Sequence, residues 1–318
     1  MKVFIGRQIP AAGLEKLKNA PEISVLEIWP HAHPATPEEL RDTVRDCDGF
    51  LAVPPDRVDE DLLNSAPNLK VIANHAVGVD NIDVAACHKR KILVGNTPDV
   101  LTDSTADVTW ALLMAAAWRV PQADFDVRNQ RWGGWSPTDY WGTDVAGATL
   151  GIVGFGRIGQ AMARRARGFG MQILYWNRSA KPQADELGAT RVELDELLQQ
   201  SDFVSLHCAL TNETRNLIDA EKLALMKPSA ILINTARGAV VDQNALVETL
   251  REKKIRGAGL DVFVQEPVPH DDPILALPNV VMMPHLGSAT EKTRDAMSLL
   301  AAENILAGLR GEPLPHAV

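Results

Sequence analysis

The segment Leu150-Gly151-Ile152-Val153-Gly154-Phe155-Gly156-Arg157-Ile158-Gly159 constrains this chain more than any other. An apolar strand enters a Gly-x-Gly-x-x-Gly turn, and Ala161 to Ala166 continue as helix. A turn that tight needs residues without side chains. The same glycines let a pyrophosphate approach the helix N-terminus, where free N–H groups and the helix dipole favour negative charge. A strand, this turn and a helix in that order are the dinucleotide-binding start of a doubly wound parallel sheet. Gly154, Gly156, Arg157, Ile158 and Gly159 are therefore candidate cofactor contacts.

The next strand, Met171 to Trp176, runs into Asn177-Arg178-Ser179. A site for NAD(H) carries Asp or Glu here, about 20 residues past the glycines, to accept from the ribose 2′-hydroxyl. Asn177 is neutral, Arg178 can face a 2′-phosphate and Ser179 can donate to it. The missing carboxylate removes a repulsion. These three residues point to NADP(H) as the preferred cofactor, with NAD(H) still possible.

Strand and helix patterns alternate along the whole chain, the mark of an α/β protein with parallel sheets. Strands are expected at Val3–Ile5, Ile23–Ile28, Gly49–Val53, Val71–Ala73 and Ile92–Val94. A second set is expected at Gly151–Val153, Gln172–Trp176, Phe203–Leu206, Ala230–Ile233, Ala258–Leu260 and Val280–Met282, which makes a six-stranded sheet. Thr36-Pro37-Glu38-Glu39 reads as a capping box at a helix start. One long helix is expected from Asp99 to Arg119, closed by Pro121, with Val108, Leu112, Leu113 and Ala116 facing a core. A last helix is expected from Ser288 to Leu309. The irregular stretch from Arg131 to Trp141 holds Trp132, Trp135, Tyr140 and Trp141, which need burial either within the chain or at a subunit interface.

A chain of 318 residues has room for two domains. Its net charge of −9 argues against nucleic-acid or anionic-membrane partners. No apolar run approaches the roughly 18 residues of a membrane span, and the N-terminus reads as a strand. Cys47, Cys87 and Cys208 are odd in number and scattered. They suggest a reducing, cytoplasmic setting and no metal spacing. His31-Ala32-His33 lies in a Pro-rich loop without a nearby third ligand and reads as solvated.

Three further motifs put ionisable residues at strand ends, where an open α/β sheet presents its ligand crevice. Arg237 lies in Asn234-Thr235-Ala236-Arg237-Gly238. Asp261 and Glu266 lie in Asp261-Val262-Phe263-Val264-Gln265-Glu266-Pro267. His285 lies in Pro284-His285-Leu286-Gly287.

With these motifs the chain resembles the D-isomer-specific 2-hydroxyacid dehydrogenase family, and within it the glyoxylate and hydroxypyruvate reductases. Val77-Gly78-Val79-Asp80-Asn81-Ile82-Asp83, Asn96-Thr97-Pro98, Leu101 to Asp107 and Pro284 to Thr290 complete the match, in order and over nearly the whole chain. The departures are Ala209, where the family often has Pro, and Asn177.

The resemblance implies two doubly wound parallel-sheet domains. One is a flavodoxin-like substrate domain of residues 1–98 and 287–318. The other is a Rossmann cofactor domain of residues 99–286. It also implies a homodimer. The reaction would be reduction of a small 2-keto acid, with His285 as general acid and Glu266 pairing with its imidazole and favouring the protonated form. Arg237 would hold the substrate carboxylate and polarise the carbonyl. The backbone N–H groups of Val77 and Gly78 would bind that carboxylate too. Asp261 would accept from the nicotinamide carboxamide, and Thr105, Cys208 and Thr235 would also lie at the cofactor. No metal is needed, because Arg237 and His285 supply the positive charge. The stretches 51–55 and 74–76 carry no added cation, which favours glyoxylate or hydroxypyruvate over a phosphoglycerate. Formate or phosphonate oxidation on the same fold, and a nucleotide-sensing binding protein, are the alternatives.

Overall fold

Strands and helices alternate throughout the structure, a computed structural model that describes residues 1–318. The first elements are β1 (Lys2–Ile5), α1 (Ala11–Lys18), β2 (Val25–Ile28), α2 (Pro37–Val44), β3 (Gly49–Ala52) and α3 (Glu60–Ser65). Then come β4 (Val71–Asn74), α4 (Val84–Lys89), β5 (Leu93–Gly95), α5 (Thr102–Ala117), α6 (Val120–Arg128), β6 (Thr149–Val153), α7 (Arg157–Gly168) and β7 (Gln172–Trp176). The remainder is β8 (Ala189–Arg191), α8 (Leu194–Gln200), β9 (Phe203–Leu206), α9 (Ala220–Ala224), β10 (Ile231–Asn234), α10 (Gln243–Arg251), β11 (Gly257–Leu260), β12 (Val280–Met282) and α11 (Glu291–Arg310). They form two units, residues 1–101 with 288–318, and residues 102–287.

The first unit holds a parallel sheet in the order β2-β1-β3-β4-β5, the flavodoxin-like arrangement. Its central strands β3 and β4 are buried along their whole length, as short apolar runs covered on both faces should be. Edge strand β2 alternates exposed and half-buried residues. The helix start at Thr36 is a full capping box: its hydroxyl accepts from the Glu39 amide, and the Glu39 carboxylate accepts from the Thr36 amide. Helix α11 starts at the Thr290 cap, two residues later than expected, and packs Ala301, Ile305 and Leu309 in one core with Val3, Leu51 and Val71. Beyond it, Ala317 bridges Gly95, and the Val318 amide donates to the Val94 carbonyl at 2.9 Å.

The second unit holds a sheet in the order β12-β11-β10-β9-β6-β7-β8. It has seven strands where the sequence suggested six. The extra one, β8, is a three-residue edge strand with two exposed positions, too short to show a hydrophobic period. The long helix expected from Asp99 to Arg119 is also corrected. Asp99 has a left-handed φ of 68°. Helix α5 stops at Ala117, and Arg119 turns left-handed at φ 54°. Pro121 therefore helps to open α6, where its fixed φ and missing N–H are tolerated in a first turn. Leu112 and Leu113 are fully buried, whereas Val108 and Ala116 are half-buried. The aromatic stretch does not pack into this unit: Trp132, Trp135 and Trp141 are 54%, 85% and 66% exposed. Tyr140 is the partial exception, its hydroxyl donating to Asp126 at 3.0 Å.

Candidate active site

Strand β6 ends at Val153 and α7 begins at Arg157, so the turn lies between them. Gly154 has φ 96°, a conformation that side chains disfavour. A Cβ on Gly159 would lie 2.3 Å from the Gly154 carbonyl oxygen, so helix and turn pack too closely for any side chain. A Cβ on Gly156 would meet nothing within 4 Å. The space before α7 is therefore open, and Gly156 caps the helix with no side chain, leaving its first amides available. Arg157 and Ile158 form that first turn, with Arg157 exposed. This cradle fits a dinucleotide pyrophosphate. Gly154 also abuts Cys208, whose amide nitrogen would lie 2.5 Å from an added Cβ. Cys208 follows β9, and β6 and β9 are neighbours at the point where strand order reverses, so both flank the crevice. Burial pushes the Cys208 thiol up to about 11, which makes it an inert wall and not a nucleophile.

At the end of β7, Asn177 Oδ1 accepts from the Phe155 amide at 3.2 Å, and its Nδ2 donates to the Ser179 carbonyl at 3.0 Å. Asn177 thus ties the glycine turn to the ribose loop without adding charge. Arg178 and Ser179 are exposed. Arg178 has an acidic neighbour. The hydrogen bond from Thr211, and more weakly the Arg178 charge, hold the Glu213 carboxyl below its usual range.

The remaining side chains sit at the ends of β10, β11 and β12, three adjacent parallel strands. Parallel neighbours lie about 4.8 Å apart, so groups at successive C-terminal ends are brought within one side chain's reach. After β12, His285 Nδ1 pairs with Glu266 Oε2 at 2.7 Å. The other carboxylate oxygen of Glu266 accepts from the Phe263 amide at 2.9 Å. Burial pushes the Glu266 carboxyl up. The His285 hydrogen bond and charge, the Phe263 amide and the Arg237 charge outweigh that push and hold it below the usual range. Nδ1 being engaged, Nε2 is the nitrogen left to meet a ligand. The backbone of His285 itself is left-handed at φ 55°.

After β10, the Asn234 side chain donates to the Arg237 carbonyl at 2.9 Å and accepts from the Ala236 amide at 3.0 Å. A Cβ on Gly238 would fall 1.9 Å from the Phe263 carbonyl carbon, so the Arg237 and Glu266 loops lie in direct contact. Asp261, fully buried, accepts from the amides of Leu286 at 2.7 Å and Gly287 at 2.9 Å. Burial pushes its carboxyl up despite those bonds. Sequence reasoning gave Asp261 a cofactor contact and missed this grip on the His285 loop. It likewise missed a buried threonine ladder: Thr105 donates to the Gly287 carbonyl, Thr109 to the Thr105 carbonyl at 2.7 Å, and Thr109 pairs with Thr235 at 2.7 Å. Thr105 and Thr235 thereby brace the loops after β12 and β10. Neutral threonines at helical spacing leave no charge pattern from which this could have been read.

In the first unit, Val77 and Gly78 follow β4. The Asn96 side chain donates to the Val77 carbonyl at 2.8 Å, and the Asn74 side chain to the Gly78 carbonyl at 2.7 Å. The two carbonyls are tied down, and the amides have no main-chain partner. His75, two residues before Val77, is buried with neither ring nitrogen bonded, and burial pushes its pKa down to about 4.

Residues 110–287 match the model of the D-isomer specific 2-hydroxyacid dehydrogenase NAD-binding domain, more than half of the chain. The chain belongs to the D-isomer-specific 2-hydroxyacid dehydrogenase family. It is an oxidoreductase, and the second unit is its nicotinamide-dinucleotide domain. This dehydrogenase is 50% identical to the glyoxylate reductase of Thermococcus litoralis, covering 100% of this chain and 96% of the relative. A solved protein from Thermus thermophilus superposes with a TM-score of 0.91 at 45% identity, with 100% of both chains covered. The NADPH-dependent glyoxylate/hydroxypyruvate reductase of Sinorhizobium meliloti, solved with NADP and malonate, gives 0.86 at 34% identity, covering 100% of this chain and 96% of that one. The dehydrogenase is of the glyoxylate-reductase type. No helix is long and apolar enough to cross a membrane.

Proposed function

We propose that the protein reduces glyoxylate, and hydroxypyruvate, to the D-2-hydroxy acid with NADPH. The observation that carries this reading is the His285–Glu266 pair at 2.7 Å, on a loop that abuts the Arg237 loop, at the strand ends of the dinucleotide domain. The cofactor, when bound, supplies hydride to the carbonyl carbon. As negative charge grows on the carbonyl oxygen, His285 Nε2 gives that oxygen its proton, and Glu266 orients the imidazole through Nδ1. Arg237 holds the substrate carboxylate and polarises the carbonyl through its planar fork. The Val77 and Gly78 amides, which have no main-chain partner, are further donors suited to a carboxylate. Asp261 keeps the His285 loop in place and has lone pairs left for the nicotinamide amide. Positive charge comes from Arg237 and His285, with no metal.

The test is oxidation of NADPH and of NADH, each with glyoxylate and with hydroxypyruvate. Fast turnover with NADPH and slow turnover with NADH is the expected result. Equal rates would discard the NADPH preference, and no turnover with either would discard the reductase reading.

The cofactor preference rests on Asn177, Arg178 and Ser179. Asp has nearly the shape of Asn, can accept the same Phe155 hydrogen bond, and gives up only the donation to the carbonyl of the exposed Ser179. Asn177→Asp with Arg178→Ala should therefore fold normally and shift the NADPH/NADH ratio of kcat/KM toward NADH by about 100-fold, two charge-assisted contacts being reversed. A ratio unchanged by the pair of substitutions sinks this assignment.

We also infer a homodimer, formed over the exposed aromatic surface of the second unit. Trp118, Phe125, Trp132, Trp135 and Trp141 are each about half or more exposed, large aromatic side chains of the kind that subunit interfaces bury. A soluble, cytoplasmic dimer agrees with the three scattered, unpaired cysteines. Sedimentation equilibrium should return twice the chain mass, and Trp135→Lys should lower it; a monomer in the wild type contradicts the inference.

A further inference from the structure

We propose that Arg191, on edge strand β8, is a second cation for the 2′-phosphate of NADPH and completes the discrimination against NADH. This rests on the NADPH reading above and extends it to an element that sequence reasoning did not find.

Arg191 is exposed, and its Nη2 donates to the Asn177 carbonyl at 3.2 Å. The guanidinium is therefore anchored on the residue that occupies the ribose-recognition position. A guanidinium has five N–H donors, so one bond to a carbonyl leaves most of them for a ligand. A phosphate monoester carries about −1.5 to −2 charges at neutral pH. Arg178 supplies one positive charge, and the exposed Glu213 carboxyl also lies within its field. A single cation leaves part of a dianion unmatched.

The surroundings suit a phosphate. A cavity of about 470 Å³ opens beside the loop, lined among others by Tyr175, Lys181, Asp185, Thr190 and Arg191. Lys181 and Arg191 outnumber the one carboxylate there, Asp185. The loop is also braced. The Lys181 amide donates to the Tyr175 hydroxyl at 3.3 Å, and the Tyr175 ring stacks on Phe155 of the glycine turn, centroids 4.3 Å apart. Arg191 thus approaches the ribose loop from the strand beside β7.

The test compares the full-length wild type with Arg191→Gln, Arg191→Lys and Arg178→Gln. KM values are measured for NADPH and NADH with glyoxylate. Inhibition constants are measured for adenosine 2′,5′-bisphosphate and for AMP, which differ in the 2′-phosphate. Arg191→Gln loses the charge and keeps a polar, shorter side chain. It should raise KM for NADPH and the bisphosphate constant about tenfold, the usual loss for one charged hydrogen bond, and leave NADH and AMP within about twofold. Arg191→Lys should retain most of the preference. Parallel changes with both cofactors would mean that Arg191 only braces the loop, and would overturn the proposal. If Arg178→Gln weakens NADPH and Arg191→Gln does not, this proposal alone fails. If the wild type binds the bisphosphate no better than AMP, the NADPH reading fails and takes it along.

Discussion

His285→Ala should lower kcat for glyoxylate reduction by about 10³-fold while the dissociation constant for NADPH stays within about twofold of the wild type. The size follows from the role. General acid catalysis by a placed side chain contributes about 10² to 10⁴ in rate, or roughly 3–5 kcal/mol of barrier. Alanine removes both the proton and the positive charge that meets the developing alkoxide, and water is a weaker acid at neutral pH. The cradle for the pyrophosphate lies on the loop after β6 and is untouched by the change. Intrinsic protein fluorescence on NADPH titration reads binding, and absorbance of the reduced nicotinamide reads turnover. A variant that keeps more than about a tenth of the wild-type kcat would contradict the proton-donor role. The variant should be somewhat less stable, by about 1–2 kcal/mol, because Glu266 loses its imidazole partner and alanine tolerates the left-handed backbone at residue 285 less well than histidine.

Arg237→Ala should lower kcat/KM for glyoxylate by about 10³-fold, some 4 kcal/mol, with KM rising and kcat falling together. The guanidinium is asked to bind the ground-state carboxylate, which sets KM, and to meet charge that grows on the carbonyl, which sets kcat. Arg237→Lys should recover little, because an ammonium lacks the planar fork that engages two oxygens at once. A wild-type specificity constant in Arg237→Ala would refute the clamp. A second consequence concerns Glu266. Arg237 is one of the charges holding that carboxyl below its usual range. Its loss should move the acid limb of the pH–rate profile of any residual activity upward, toward neutral pH.

The strands and their order in the chain were legible because each central strand is a short apolar run bounded by turn residues. Phe203–Leu206 and Ile231–Asn234, for example, are buried along their full length. Strand ends followed, and with them the positions of Arg237, Asp261 and His285. Edge elements were not legible. Ala189–Arg191 buries one residue, so nothing in its composition separates it from a loop. The break between α5 and α6 was hidden because Pro121 reads as a stop. Proline is also at home in a first turn, and only the left-handed Arg119 before it decides which. The supporting contacts at the site were hidden for a different reason. Asp261 gripping two amides, and Thr105, Thr109 and Thr235 bonded in a row, join segments up to 182 residues apart through groups of no distinctive charge.

The first unit is interrupted by the second, and its last helix has a bearing on how the protein is made. On a ribosome, residues 1–101 emerge first, yet α11 and the Ala317–Val318 strand partner of β5 emerge last. Until then Val3, Leu51 and Val71 lack the helix that covers them, whereas residues 102–287 already contain everything their own sheet needs. The half synthesised later should therefore reach its native state sooner, and the earlier half should wait as an uncovered sheet. A released chain truncated after Gly287 should show protease-resistant nucleotide-domain fragments and a still-digestible amino-terminal segment.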